Sequence, residues 1–225
     1  MAVRCGYFRQ VQSMLDERPD LVGAINPHNG FTPLATAVRR GDMNMARYLV
    51  STGADVNQPS AAGQTPLHLA VYAAHAPMAE LLIDKGADLQ ARDWNGLGVE
   101  HYAVDSCDLA ILKFVLDRGG DVAALDNNGW TPLFRAVCQN ARTEVVEELV
   151  ARGSDVELRD HAGLPLACVA RINRNRHGGK TTKTIDNLAP RHPHKFIVNT
   201  YITSTIQRRL PWVSTRNRRD SRPRG

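Results

Sequence analysis

The chain has 225 residues, with 28 Lys/Arg against 23 Asp/Glu and four cysteines. Cys5, Cys107, Cys138 and Cys168 stand far apart with no C-x-x-C pair, which argues against a zinc site or a disulfide framework and fits a reducing compartment. The formal +5 hides an asymmetry: residues 1–170 carry 14 Lys/Arg and 21 Asp/Glu, a net of −7, and residues 171–225 carry 14 and 2, a net of +12.

No stretch approaches the roughly 18 consecutive apolar residues of a membrane span, and residues 1–10 lack the apolar core of a signal peptide. No N-x-S/T sequon is present. The expectation is a soluble cytoplasmic protein, with the nucleus as the alternative, and no membrane association.

The first element in chain order is a predicted helix with Val11, Met14 and Leu15 on one face, stopped by Pro19. Ala2-Val3-Arg4-Cys5-Gly6 lines up with Ala37-Val38-Arg39-Arg40-Gly41, 35 residues later. Residues 2–28 therefore read as a partial unit whose first helix is nearly absent. Because a terminal repeat needs a solubilising cap, this start is expected to reflect an incomplete gene model, a fragment or an isoform lacking upstream repeats. The alternative is a short natural cap.

Thr32-Pro33-Leu34, Thr65-Pro66-Leu67 and Thr131-Pro132-Leu133 then recur at spacings of 33 and 66 residues. Gly30, Gly63, Gly96 and Gly129 fall 33 apart, and Gly163 follows after 34. Gly53-Ala54-Asp55, Gly86-Ala87-Asp88, Gly119-Gly120-Asp121 and Gly153-Ser154-Asp155 close successive units. The units run over 29–61, 62–94, 95–127 and 128–160, with a partial one at 161–175. In each, Thr is expected to cap a first helix and Pro to take its first position. A second helix follows, bulkier on its buried stripe, as in Met78, Leu81 and Leu82 or Val145, Val146 and Leu149.

The unit at 95–127 is degenerate. Gly98-Val99-Glu100-His101 replaces Thr-Pro-Leu-His, so Glu100 stands where Leu34, Leu67 and Leu133 do. A buried carboxylate is costly. The expectation is either a rotated helix start, with Val99 or Tyr102 in the slot, or a partner for Glu100 such as His68 or His101.

Residues 176–225 lose every period, have too little apolar density for a core and are expected to be mostly disordered apart from the β-prone stretch Phe196 to Ile206. Three readings stand for the basic region from Arg171: a nucleic-acid arm, a localisation signal at Arg216 to Arg224, or a non-native sequence appended by a frameshift or read-through intron. His177-Gly178-Gly179-Lys180 lacks the context of a phosphate loop, and His192 and His194 have no third ligand nearby. No cofactor, metal or catalytic set is expected.

The 33-residue period, Thr-Pro-Leu and Gly-Ala-Asp together resemble the ankyrin repeat over roughly residues 2–170. The resemblance implies an all-α solenoid, each repeat a β-turn plus two antiparallel helices, followed here by the basic tail. Within that family, Gln90-Ala91-Arg92-Asp93, Gly129-Trp130-Thr131-Pro132-Leu133 and the extra residue before Gly153 are similar to the ankyrin portion of fibronectin type III and ankyrin repeat proteins.

The family's function is binding, so the resemblance implies a non-enzymatic interaction scaffold or adaptor, monomeric, holding another protein on its concave face. Nucleic acid enters only through 171–225. By position, the binding residues implied are Phe31, Arg39, Arg40, Gln64, Tyr72, Trp94, Leu97, Asp105, Asn127, Trp130 and Gln139. Phe31, Trp94, Leu97 and Trp130 are singled out as large apolar groups on or beside the turn fingers, the alternative being that each packs on its neighbour's turn. His68 and His101 match the family's structural histidine, which bridges adjacent turns. Leu49, Asp55, Val56 and Asn57 resemble the substrate motif of an asparaginyl hydroxylase, the alternative being that Asn57 bonds its own turn. Cys138, at a predicted helix end, is the thiol expected to be exposed.

Overall fold

The computed structural model describes Val3 and residues 8–170. The expectations for Cys5, the tail, the Phe196 to Ile206 stretch, His192 and His194, and the Arg216 to Arg224 patch fall outside the described residues.

Helix starts follow the capping chemistry. Thr32 Oγ1 accepts from the Ala35 amide at 3.1 Å and Pro33 occupies the first helical position of α2 (Pro33–Arg40). Thr65 precedes α4 (Pro66–Tyr72) and Thr131 caps α8 (Pro132–Cys138) through the Phe134 amide at 3.2 Å. Gly98 precedes α6 (Val99–Asp105) without a side chain to offer. These are the inner helices.

The outer helices are α1 (Phe8–Glu17), α3 (Met43–Ser51), α5 (Ala76–Asp84), α7 (Leu109–Asp117) and α9 (Thr143–Ala151). Asp42, His75 and Asp108 side chains cap three of them. A 3-10 turn, Pro19–Gly23, follows α1, and residues 166–170 are helical.

Each inner helix packs on its own outer helix and on the next inner helix, α2 on α4, α4 on α6 and α6 on α8. The core is continuous along this stack. Leu34, Leu67 and Leu133 from the inner helices and Met45, Met78, Leu112 and Leu149 from the outer ones are fully buried. The fold is all-α, as the period implies, and among the described residues two isolated bridges, Arg92 with Gly98 and Arg159 with Pro165, mark finger hairpins.

The third unit keeps its register. Val99 starts α6 at the position of Pro66 and Pro132, so the helix is not rotated, and Glu100 is buried in the leucine slot. Nor does a histidine pair with it, which corrects that expectation: Glu100 Oε1 accepts from the Asp121 amide at 2.9 Å. Its Oε2 has no hydrogen-bond partner. Two glycines make the room. A methyl group on Gly98 would run into Glu100 Oε2, and one on Gly120 would lie 2.9 Å from Val115 Cγ1 and 3.2 Å from Glu100 Cγ. The other units carry Thr and Ala or Ser at these two positions. Burial raises the Glu100 pKa, against the lowering effect of the Asp121 amide.

Candidate functional site

His68 and His101 clasp adjacent units. His68 Nδ1 accepts from the Thr65 amide at 3.1 Å, and its Nε2 meets the Leu97 carbonyl at 3.2 Å. His101 repeats this with the Gly98 amide at 3.2 Å and the Trp130 carbonyl at 2.9 Å. An Nδ1 that accepts leaves the proton on Nε2 to donate to the carbonyl, so both rings are neutral. Burial lowers both imidazole pKa values, consistent with that tautomer.

The fingers form a backbone ladder. The Trp94, Asn127 and His161 amides donate to the Ala62, Asn95 and Asn128 carbonyls at 3.4, 3.0 and 3.0 Å. Side chains extend it: the Trp94 indole N–H reaches the Ala61 carbonyl at 3.1 Å, and Asn127 Nδ2 reaches the Trp94 carbonyl at 3.0 Å. Gly63, at φ +81°, lets the indole lie close, since a Cβ there would be 2.7 Å from Trp94 Cδ2. Trp94 is thus fixed in place, yet 67 % exposed.

Two of the expected binding residues are internal. Trp130 is 2 % exposed; it stacks on Phe134 with centroids 5.4 Å apart and donates to Asp160 Oδ2 at 3.3 Å. Phe134 stands where His68 and His101 do, and its apolar ring gives the indole a face to pack on. Leu97 is likewise buried, its carbonyl taken by His68. Neither offers a side chain to a partner, which corrects the expectation for both.

Along the inner helices the remaining residues divide into a closed half and an open half. Arg135 grips Asp105 with two bonds, Nε to Oδ1 at 2.6 Å and Nη2 to Oδ2 at 2.7 Å, and Gln139 Nε2 also donates to Asp105 Oδ1. Burial alone would lower the Arg135 pKa, but the hydrogen bonds and charge of Asp105 raise it overall. Gln64 Nε2 donates to Tyr102 Oη at 2.9 Å, and Tyr102 donates to Asp93 Oδ2 at 2.8 Å. Burial raises the Tyr102 phenol far above its ordinary range. Arg135 was not singled out in the sequence, and Tyr102 only as a candidate for the leucine slot. Their register, three residues before Asp105 and Cys138 on the same helix face, is the signal that points to them.

The open half contains Phe31, Arg39, Arg40, Tyr72 and Trp94. The Arg39 guanidinium lies 4.4 Å above the half-buried Phe31 ring. Arg39 and Arg40 are exposed at the end of α2. Tyr72 is 49 % exposed and meets Tyr102 edge-on at 6.3 Å.

Asn57 is exposed on the opposite loop, where its Nδ2 donates to the Gly86 carbonyl at 2.9 Å and its Oδ1 accepts from the Asp88 amide at 2.7 Å. It therefore bonds the next unit's turn rather than its own. Cys138 is buried, and burial raises its thiol pKa, whereas Cys107 is exposed. This reverses the expectation for Cys138. Among the described residues no group of three or more His, Cys, Asp or Glu could hold a metal ion, and no helix is long and apolar enough to cross a membrane.

Stacked helix pairs, histidine clasps and a finger ladder occur together here, and the family model described as ankyrin repeats in three copies matches residues 1–93 and 95–160. The chain belongs to the ankyrin-repeat family. No curated protein matches it. Ankyrin repeats are generally protein–protein interaction modules, and their domains are typically non-catalytic. In this ankyrin array the inner-helix and finger face, open from Phe31 to Trp94 and closed around Asp105, is the candidate surface.

Proposed function

We propose that the chain is a non-enzymatic adaptor, acting as a cytoplasmic monomer, that holds a segment of another protein against the open half of its inner-helix and finger face. The observation that carries this reading is Trp94. An indole 67 % exposed gains nothing from its solvation, yet its N–H bond and the Gly63 contact hold it in one orientation. A rigid aromatic group pays little entropy on binding and is a frequent interface hot spot. Tyr72 is the second such group.

The test is affinity purification with the full chain and with the Tyr72→Ala/Trp94→Ala variant. Both side chains are largely outside the core, so the variant should keep its circular dichroism and melting temperature. Proteins retained by the wild type and lost by the folded variant support the reading, and identical sets from both would sink it.

The net +12 of residues 171–225 favours a second reading, a nuclear or nucleic-acid-associated adaptor. Its mark is DNA or RNA binding that weakens steeply with salt and disappears when residues 171–225 are deleted. Salt-independent binding, or binding that survives the deletion, would remove it.

A further inference from the structure

We infer that the groove between α1 and the first finger is the docking site for the chain's own residues 196–206, which lie outside the described residues. It is a contact within the chain, next to the open half at Phe31, and does not depend on what that half binds.

The groove has a volume of about 780 Å³ and is walled by Val11, Met14 and Leu15 of α1, by Leu21 and Ile25, and by Phe31. Sites that enclose a ligand run from roughly 300 to 1,000 Å³. Of the five large apolar side chains exposed among the described residues, Met14 at 48 % and Ile25 at 49 % both line it. The repeat makes this exposure telling. Aligning residues 2–6 with 37–41 places Met14 on Leu49, and Leu49, Leu82, Val115 and Leu149, one in each of α3, α5, α7 and α9, are fully buried. Those four helices are each covered by the inner helix of their own unit, whereas among the described residues the chief contact of α1 is the 3-10 turn. The groove therefore offers an apolar surface for another segment to cover.

Sequence and charge name the segment. Residues 171–225 are strongly basic, yet 196–206 place Phe196, Val198, Ile202 and Ile206 on one face of an extended chain. From Phe196 to Ile202 such a chain covers about 20 Å, against about 15 Å for the ten residues of α1. Lys195 precedes this stretch and Arg208 and Arg209 follow it, while α1 ends on the exposed carboxylates Asp16 and Glu17. The same match holds at larger scale, a net +12 for residues 171–225 against −7 for residues 1–170.

Reach permits the contact. About five helix-to-helix steps of about 8–10 Å separate residue 170 from α1, a distance of about 40–50 Å. The 25 residues from 171 to 195 can span up to about 85 Å. Tethering favours this segment over the same segment of a second copy, because a linked segment is present at an effective concentration on the order of millimolar.

The experiment is hydrogen exchange read by mass spectrometry on the full chain, as wild type, as Met14→Ser/Ile25→Ser and as Phe196→Ser/Ile202→Ser. Met14 and Ile25 are half exposed and Phe196 and Ile202 lie beyond the array, so neither variant should unfold it. Amides in 196–206 should exchange about tenfold or more slowly in the wild type than in the groove variant. Reciprocally, amides in 21–31 should exchange faster in the tail variant than in the wild type. Fast exchange of 196–206 in the wild type, or protection that survives Met14→Ser/Ile25→Ser, would overturn the inference. So would a tail variant that leaves 21–31 unchanged. Protection that fades on dilution, with a dimer mass in light scattering, would assign the groove to a second copy and overturn it as well.

Discussion

Glu100 and Asp121 are joined across 21 residues by one hydrogen bond, from the Asp121 amide to Glu100 Oε1, and the other carboxylate oxygen is left buried and unpartnered. This is a leucine slot holding a charge. Replacing Glu100 by Leu should therefore stabilise the protein at neutral pH, by about 1–3 kcal/mol from relief of the unsatisfied group, or about 2–12 °C in melting temperature for a domain of this size. Because burial raises the carboxyl pKa above 4.5, the folded state favours the protonated form. That stability is present below pH 4.5 and lost as pH rises through the folded pKa. The gain from Leu should accordingly shrink toward pH 4 in thermal melts, and a loss of stability at pH 7 would show that the carboxylate is needed.

Gly98 and Gly120 predict a change of sign. Gly98→Thr restores the helix cap of the other units, worth about a few tenths of a kcal/mol over Gly, but its Cβ meets Glu100 Oε2. Alone it should destabilise, and beside Glu100→Leu it should stabilise. A double-mutant cycle by chemical denaturation measures the coupling, and additive effects would reject the shared space.

The histidine clasps oppose Glu100 in their pH dependence. His68 and His101 have pKa values held below 6.5 by burial. Under acid the unfolded chain takes up protons that the folded chain refuses, so stability is full above pH 6.5 and falls as pH drops below it. Measured in a Glu100→Gln background to remove the opposing group, the melting temperature should fall from pH 7 to pH 5. His101→Phe, which copies Phe134, should flatten the slope.

Arg135→Met should cost about 3 kcal/mol or more, because Asp105 would be left with a nearly buried charge. Pairing it with Asp105→Leu should recover most of that loss. If the double variant is no better than the single one, the ion pair contributes more than mutual neutralisation.

Cys107 and Cys138 should separate cleanly in a thiol-labelling experiment. Cys107 is exposed and should react in the native protein, whereas Cys138, buried with its pKa raised, should react only on unfolding. Cys107 also has φ +60°, at the position where the first unit has Gly41 at φ +69°. Cys107→Gly should gain about 1 kcal/mol by removing the left-handed strain.

The period made the helices legible because Thr caps, Pro starts and buried stripes act locally, within one turn of helix. What it left open were contacts between units. Trp130 and Trp94 occupy neighbouring finger positions, yet Trp130 is buried and stacked on Phe134, which stands thirty-three residues after His101, while Trp94 lies exposed over Gly63. Asp105 reads as an available carboxylate until Arg135, on the next helix, is seen to hold it. The compensation of Glu100 was written in the sequence as two departures, Gly98 and Gly120, but only their proximity in space links them.

The clasps also set how the molecule comes apart. His68 ties the second unit to the third and His101 ties the third to the fourth, while the first and fourth units carry Ala35 and Phe134 at that position and have no such tie to the unit beyond. In a linear array each unit is stabilised only by its neighbours. The second, third and fourth units therefore form the cooperative block, able to tolerate the Glu100 defect at its centre. Under force or heat the chain should peel from its ends, leaving Trp94 among the last groups to lose its frame.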